Sequence, residues 1–484
     1  MGIMDKARII GQRLSTKEIE LKLAMLNATA AQSPLLIKLS VILGLMVFTV
    51  AASLVITRLN IQYGLLLATV PFVIILVLWV QEKLYMVPCI ILFSAAFVPI
   101  GFSTGTGSKL VISLVLSLGL LVLWLLRRML VERSFDFVKT PLYIPVIGFS
   151  VTTVVSLVWS IIFRDPLVYI PSAFIFVQLA SASIMIVSPA LLLALANLVR
   201  EVKYLKWMVW IMLSLGVLGI FRNFSGIELP ANTAGLASMW IVGLSLALAL
   251  FDEKLPKWAR IFCITLAGAW VFWDFVINIS WIAGWLPGFV TGSVILLLRS
   301  KRMLLLVSLI LAVYVLTNSS VFQAWLGDET VTSGDTRMMA WETNWRYTKE
   351  HLLFGMGPAG YAVYYMTFNP LEAMATHNNY IDLISQTGLV GSAFFLAIFG
   401  LLLWRGWVVT RRLKGRRDFL EALAVTALGG TCGCLVIMAF GDWLLPFAYT
   451  QTIAGFSYSV YNWLFMGTIL SLDGITGVQK GAAR

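Results

Sequence analysis

The feature that most constrains this chain is a succession of apolar segments, many about 18 residues or longer, that recur along almost its whole length. A helix of that length spans the hydrocarbon core of a bilayer. Of the 484 residues, 60% are hydrophobic and only 12% are charged, whereas a soluble domain has roughly 25% charged residues. Apolar helices in lipid satisfy their own backbone hydrogen bonds, so no separate soluble core is needed. The sequence therefore predicts an all-α polytopic membrane protein.

The apolar segments indicate about fourteen membrane helices. Twelve or thirteen are the alternatives, because the ninth and tenth segments follow each other closely enough to form one re-entrant unit. The predicted spans are 39–57, 62–80, 84–100, 109–126, 141–163, 174–198, 204–221, 234–251, 261–279, 281–298, 303–318, 378–404, 419–441 and 453–472. The predicted organisation is an amino-terminal segment 1–38, helices within 39–318, a large loop 319–377, helices within 378–472, and a tail 473–484.

The placement of basic residues predicts the orientation of these spans. With the amino terminus in the cytoplasm, 28 of the 35 lysine and arginine residues fall in cytoplasmic segments. This bias follows the positive-inside rule and puts both termini inside and the loop 319–377 outside. The net charge of +12 is then a signal of topology, and nucleic-acid binding is a poor explanation for it. We expect a protein of the cytoplasmic membrane with no nucleic-acid partner.

Two observations weigh against an ion-coupled transporter. No internal repeat is evident, and Asp274 and Asp382 are nearly alone as ionisable residues inside predicted spans. Transporters commonly combine internal symmetry with buried charge. The four cysteines are too few for a disulfide framework, and all lie in predicted spans, where we interpret them as packing residues.

The loop 319–377 is the longest hydrophilic interruption of the chain and contains both histidines. From Thr336 to Leu352, tryptophan, methionine and leucine recur at a spacing that predicts an amphipathic helix on the membrane surface. The segment Gly355-Met356-Gly357-Pro358 then predicts a turn. The loop ends at Thr376-His377-Asn378, directly before the twelfth predicted span.

His377 is the strongest candidate for a catalytic residue. It lies at the predicted amino end of a long helix, where the positive end of the helix dipole disfavours a charged imidazolium. A neutral imidazole is what a general base requires. The alternative is a capping or interfacial histidine without chemistry. His351, at the predicted carboxyl end of the loop helix, is interpreted as a surface residue.

Arg337 and Arg222 are the candidates for anion binding. Both are predicted to lie on the outer side, where the positive-inside bias makes an arginine unexpected. Guanidinium groups bind phosphate oxygens in bidentate fashion, so the two residues could hold a lipid diphosphate. The alternative is a salt bridge within the loop or a contact with lipid headgroups.

Several motifs occur in an order that resembles a known family. They are Arg337-x-x-x-Trp341, Leu352-Leu-Phe-Gly355-Met-Gly357-Pro358, His377-Asn378-x-Tyr380, Gln386-Thr-Gly388-Leu-Val-Gly391, the segment from Arg222 to Asn232, and Gly441-Asp442-Trp443-Leu-Leu-Pro446. Together they resemble the O-antigen ligase and polysaccharide polymerase superfamily of bacterial membrane proteins. The specific part of the resemblance covers about 100 residues, and the remainder matches only as hydrophobic helices.

The resemblance implies a membrane-embedded glycosyltransferase of the class C type, inverting and independent of metal ions and other cofactors. The donor would be a glycan on undecaprenyl diphosphate, and the acceptor a sugar hydroxyl at the outer leaflet. His377 would be the base, and Arg337 and Arg222 would stabilise the diphosphate. A chain-length regulator and a flippase would be further partners. The residues expected to bind substrate are Trp341, Asn378, Tyr380, Asp442 and Trp281.

One segment departs from the family pattern. Many members carry Ser-Arg-Gly where this chain has Ser280-Trp281-Ile-Ala-Gly284. Trp281 and Trp285 could stack on sugar rings instead, or simply anchor the helix at the interface. Three functions remain open: a polysaccharide polymerase, which the Gly441–Pro446 segment and the span count favour, a ligase that transfers finished glycan, and a flippase or transporter.

Overall fold

The computed structural model describes residues 83–98, 100–103, 109–133, 136–279, 282–328, 334–369 and 375–482. The predicted spans 39–57 and 62–80, and the predicted substrate contact Trp281, lie outside these residues.

The described chain is built from helices joined by short connections. Its first half contains α1 (Val87–Phe97), strands β1 (Gly101–Ser103) and β2 (Lys109–Val111), α2 (Ile112–Leu126), α3 (Tyr143–Ile162), α4 (Phe174–Leu198), α5 (Val202–Ser225), α6 (Ala237–Phe251) and α7 (Lys257–Phe272). Its second half contains α8 (Ile282–Arg299), α9 (Lys301–Thr317), α10 (Ser319–Asp328), α11 (Asp335–Thr348), α12 (Gly360–Phe368), α13 (Asn379–Leu413), α14 (Phe419–Ile437) and α15 (Phe456–Ala482). The two strands form one antiparallel hairpin with Phe102 opposite Leu110.

The prediction of an all-α polytopic membrane protein is confirmed. Within the described residues, eight helices are long and apolar enough to cross a membrane, and a ninth span results if α9 and α10 are counted as one bent unit. These two helices meet at an angle of 80°. The count of fourteen spans is therefore not established, and it stays a prediction.

Small residues let the central helices pack closely. In α14, a Cβ atom added at Gly430 would lie 2.4 Å from the Trp240 ring of α6, and one added at Gly433 would lie 2.5 Å from the Thr291 hydroxyl of α8. Lipid supplies no hydrophobic drive for helix association, so such close backbone approach is what holds membrane helices together. The glycines of α14 thus place α6 and α8 against the helix that precedes the last predicted outer loop.

Helix α13 is interrupted at Gly388, where φ is 67° and ψ is −171°. The break frees backbone groups that pair with the loop: the N–H of Met356 donates to the Ser385 carbonyl at 2.8 Å, and the N–H of Leu389 donates to the Leu352 carbonyl at 2.7 Å. The motif Gly355–Pro358 and the motif Gln386–Gly388 are therefore two halves of one backbone contact. Only glycine fits at Gly355, because a Cβ atom there would lie 2.5 Å from the Gln386 carbonyl carbon.

The loop 319–377 forms more structure than its hydrophilic composition suggested. A helix is observed where one was predicted, as α11, but its buried face consists of Ala340, Asn344 and Thr348 and is not the expected apolar stripe. The loop also contains α10 and α12. Buried side chains of α12, including Tyr361 and Val363, pack with Phe174 and Phe447 from distant parts of the chain. The loop thus has its own core, which fixes α11 and α12 on the bundle.

The 35 residues of α13 correspond to about 50 Å of helix, which separates the two ends of the bundle. At its carboxyl end, Glu253 contacts both Arg299 (3.9 Å) and Arg417 (3.1 Å), so three connections predicted to be cytoplasmic meet there. His377 lies at the opposite end, directly before α13 begins. The connections that contain Glu253, Arg299 and Arg417 thus lie at one end of the bundle and His377 lies at the other. Which end faces the cytoplasm remains a prediction.

Candidate functional site

His377 lies at the amino end of α13, where the sequence predicted it. The helix is capped by Asn378, whose side-chain oxygen accepts hydrogen bonds from the N–H groups of Tyr380 (3.0 Å) and Ile381 (3.3 Å). His377 itself has φ of 48°, in the left-handed region that favours glycine. A histidine held there costs on the order of 1–3 kcal/mol, a strain often found at functional sites. Asn378, a predicted substrate contact, is thus a buried helix cap.

The imidazole of His377 rests on the carboxylate of Asp442. Nδ1 lies 3.5 Å from Oδ1, and the histidine side chain is 51% exposed while the aspartate is 1% exposed. The other carboxylate oxygen accepts a hydrogen bond from the Thr450 hydroxyl at 3.0 Å. One ring nitrogen is therefore turned to a buried carboxylate, while much of the ring remains accessible. We predicted that Asp442 contacts the substrate. In the structure its carboxylate is buried and lies against the His377 ring.

Asn379 connects the start of α13, next to His377, to the segment that contains Asp442. Its side-chain oxygen accepts hydrogen bonds from the N–H groups of Leu444 (3.2 Å) and Leu445 (3.4 Å), and its amide nitrogen donates to the Leu445 carbonyl at 3.0 Å. Its backbone N–H donates to the Met438 carbonyl at 2.8 Å. Asn379 thus bonds to residues that precede Asp442 in the sequence and to residues that follow it.

Trp341 links the loop helix α11 to the same segment. Its indole N–H donates to the carbonyl of Thr376 at 2.8 Å, one residue before His377. Arg337 lies four residues earlier on α11, which puts it on the same face of the helix one turn away. Trp341 was predicted to bind substrate. In this structure it is half-buried, and its indole N–H bonds to the backbone of Thr376.

A buried polar cluster lies beneath His377. The Thr376 hydroxyl donates to Oδ1 of Asp382 at 2.6 Å, and the Thr376 N–H donates to the Tyr361 hydroxyl at 3.1 Å. Burial raises the pKa of Tyr361 well above its usual value, and the nearby Asp382 and Asp442 carboxylates raise it further. The phenol therefore stays protonated and uncharged beside two carboxylates.

Arg222 lies in the last turn of α5 and lines a separate cavity of about 400 Å³. Its guanidinium donates to the Ala231 carbonyl and to the Thr233 hydroxyl, both at 2.6 Å. A guanidinium has five N–H donors, so these contacts leave capacity for a ligand. The polar and aromatic side chains around the cavity are Arg222, Asn223, Thr233, Ser238, Trp270, Trp273, Asp274, Asn278 and Trp443.

The segment Gly441–Pro446 connects this cavity to His377. Asp442 contacts the imidazole, and the next residue, Trp443, forms part of the cavity wall. Cavities of this size, with a few polar groups among aromatic walls, are typical of small-molecule sites. The arrangement offers a base, a cationic group and aromatic surfaces at one end of the bundle.

The structure therefore groups the predicted residues unevenly. His377, Asn378, Asp442 and Trp341 meet around the start of α13, Arg222 lines the adjoining cavity, and Arg337 lies one turn from Trp341. The Tyr380 hydroxyl donates to the Leu435 carbonyl at 2.6 Å, a helix-to-helix contact. His351 is not a free surface residue as predicted, because it is half-buried against the Tyr364 hydroxyl at 3.2 Å. That burial lowers its pKa.

Sequence reasoning did not assign Asp274 or Asp382 to the site. Asp274 lines the cavity beside Arg222, and Asp382 belongs to the cluster beneath His377. The sequence did contain an indication of both residues, because a carboxylate inside a predicted span usually marks a functional position. Among the described residues, no group of three His, Cys, Asp or Glu side chains is arranged to hold a metal ion, and metal independence stays a prediction.

Residues 231–396 match the family model described as O-antigen ligase, and no curated protein matches the chain. The matched residues include Arg337, Trp341 and His377, whereas Arg222 and Asp442 lie outside them. Members of this family are glycosyltransferase-like enzymes, either ligases or polymerases. The predicted resemblance to the O-antigen ligase-like superfamily is confirmed over these residues.

Proposed function

We propose that the chain is an inverting, metal-independent glycosyltransferase that uses a glycan on undecaprenyl diphosphate as donor and a sugar hydroxyl at the outer leaflet as acceptor. The observation that carries the proposal is the half-exposed His377 held by the buried Asp442, next to the cavity of Arg222 and Trp443. A base and a cationic group beside an aromatic-walled cavity suit transfer of a sugar from an anionic leaving group.

In the proposed step, the acceptor hydroxyl attacks the anomeric carbon of the donor. The new bond forms as the bond between that carbon and the diphosphate oxygen breaks, and its electron pair leaves with the diphosphate. The hydroxyl proton passes to the imidazole nitrogen of His377 that does not face Asp442. The Asp442 carboxylate orients the ring and stabilises the imidazolium that forms. Arg222 and Arg337 stabilise the charge that develops on the diphosphate.

The cavity side chains suggest how sugars are held. Trp273 and Trp443 offer aromatic faces, which suit the C–H surfaces of sugar rings, and Asn278 and Asp274 offer hydrogen-bonding groups for hydroxyls. We favour repeated transfer to a growing chain, as in a polymerase, over transfer of a finished glycan to a lipid or protein acceptor, as in a ligase. The two functions share this chemistry and differ in the acceptor.

Replacing Arg222 or Arg337 with alanine is expected to lower glycan transfer by about 10²- to 10³-fold, because each loses a donor aimed at developing charge. The measurement is polymer produced per unit of protein in cells that lack the native gene, with lipid-linked intermediates identified by mass spectrometry. Single lipid-linked repeats indicate a polymerase, and long lipid-linked chains indicate a ligase. Accumulation of intermediates on the cytoplasmic leaflet would instead support a flippase and contradict the proposal.

Two further variants sharpen this test. Arg222→Lys keeps the charge but loses the planar fork, so an activity between those of the wild type and Arg222→Ala is expected. Arg346→Ala is the matched control, because Arg346 is an exposed residue of the same helix as Arg337. Normal transfer by Arg222→Ala and Arg337→Ala would remove both residues from the mechanism.

Replacing Trp341 with phenylalanine is expected to reduce transfer about five- to tenfold with little change in thermal stability. The substitution keeps an aromatic ring and removes one hydrogen bond, worth about 1 kcal/mol, to the carbonyl that precedes His377. Trp345→Phe is the control, since Trp345 is 52% exposed on the same helix. Equal rates for the two variants would mean that the Thr376 contact does not position the base.

A further inference from the structure

A second cavity, of about 250 Å³, lies at the end of the bundle opposite His377. Four basic residues contribute to its lining: Arg299 at the end of α8, Arg411 in the last turn of α13, and Lys414 and Arg417 in the turn before α14. The proposed transfer reaction does not use this cavity. It lies among segments whose basic residues predict the cytoplasmic side.

The positive charge in this cavity is only partly neutralised. Glu253 contacts Arg417 at 3.1 Å and Arg299 at 3.9 Å. Among the described residues, neither Arg411 nor Lys414 has a carboxylate within 4.0 Å, and Arg411 lies over the Trp407 ring at 4.9 Å. Arg411 lies in the last turn of α13 and Lys414 directly follows that helix, so both basic residues are at its carboxyl end. The cavity therefore has a local excess of positive charge.

The turn that carries these residues is fixed by its own backbone bonds. The buried Glu421 carboxylate accepts hydrogen bonds from the N–H groups of Gly415 (3.0 Å) and Arg417 (2.7 Å). Both residues have positive φ, 86° at Gly415 and 53° at Arg417. A turn held in this way presents its basic side chains at set positions and is not a loosely ordered basic tail.

The remaining wall combines the polar side chains of Thr410 and Glu421 with apolar side chains. Leu298 and Val425 line it together with Trp407, whose side chain is 45% exposed. A site for free phosphate needs no such surface, whereas a lipid brings an acyl chain next to its headgroup. Basic pockets between membrane helices on the cytoplasmic side are suited to anionic headgroups.

We propose that this cavity binds the headgroup phosphate of an anionic phospholipid, with Arg411 and Lys414 as the main cationic contacts. Arg299 and Arg417 enclose the headgroup from the other side, and the first part of an acyl chain lies along Trp407 and Leu298. The site would be occupied from the inner leaflet, so it does not depend on the transfer chemistry at the opposite end.

The test is native mass spectrometry of the full chain, purified in detergent and titrated with dioctanoyl phosphatidylglycerol. We expect the double variant Arg411→Gln/Lys414→Gln to bind this lipid about 10- to 30-fold more weakly than the wild type, because two cationic contacts are lost. The matched control is Lys301→Gln/Arg302→Gln, which removes the same charge from exposed positions outside the cavity. Its affinity is expected to stay within about twofold of the wild type.

Two ligand controls separate the sources of phosphate. Dioctanoyl phosphatidylcholine has the same chains without the net charge, and it should bind much more weakly than phosphatidylglycerol. Inorganic phosphate should not displace phosphatidylglycerol at millimolar concentration. Equal losses in both double variants, equal binding of the two lipids, or displacement by inorganic phosphate would each overturn the proposal.

Discussion

Replacement of His377 by alanine is expected to lower glycan transfer by about 10²- to 10⁴-fold, the contribution usual for a positioned general base. The side chain is half-exposed beside a buried carboxylate, so its removal takes away the proton acceptor without opening the core. The measurement is polymer per unit of protein, with expression and thermal stability matched to the wild type.

His351→Ala is the matched control, because it removes the only other histidine of the sequence. It is expected to retain most of the activity, since His351 contacts Tyr364, which the proposed transfer step does not use. Asp442→Asn should give an intermediate loss of about tenfold or more, as the ring loses the carboxylate that orients it. If His377→Ala keeps transfer within about threefold of the wild type, the proton goes elsewhere and the mechanism fails.

Replacement of Gly388 by alanine is expected to destabilise the protein by about 3 kcal/mol or more. The backbone conformation at this position is almost exclusive to glycine, and a Cβ atom would lie 2.2 Å from the Leu353 carbonyl oxygen. To relieve the clash, the chain must break the backbone contacts between the 352–357 segment and α13. A lower unfolding temperature in detergent and a lower yield of membrane-inserted protein are the measurements.

Gly400→Ala is the control for this substitution. Gly400 lies in the same helix, and nothing lies within 4 Å of the Cβ atom that alanine would add. Alanine favours helix by about 0.5–1 kcal/mol over glycine, so this variant should be as stable as the wild type or slightly more stable. Equal destabilisation by both variants would mean that the break at Gly388 does not hold the loop.

The sequence predicted the helices best where apolar runs have polar flanks. The prediction for α4 agrees with the observed helix at both ends, because charged or loop-forming residues bound the apolar run. For α13 the predicted end at residue 404 is nine residues early. The helix continues through basic residues because Arg405 and Arg412 pair with Asp473 at 2.6 Å and 2.8 Å, which no local pattern reveals.

Candidate residues for the site follow from the sequence and their roles stay predictions, whereas the contacts between them come from the structure. His377 was selected because it precedes a long predicted helix. Arg222 was selected because it is an arginine on the predicted outer side, where the positive-inside rule makes basic residues uncommon. The contact of Asp442 with His377 depends on the hydrogen bonds of Asn379 to a segment far along the chain, and single-sequence patterns carry no such pairing. The predicted substrate-binding role of Asp442 stays a prediction, and the structure adds that its buried carboxylate lies 3.5 Å from the His377 imidazole.

The bonds of Asn379 also set the order in which the site can be assembled during synthesis. His377 leaves the ribosome well before Met438 and Leu445, to which Asn379 must bond. A nascent chain therefore carries the entire loop 319–377 while its histidine still lacks the carboxylate partner. On the proposed mechanism, transfer requires that the last helices are inserted, so a chain whose translation stops before them is expected to be inactive.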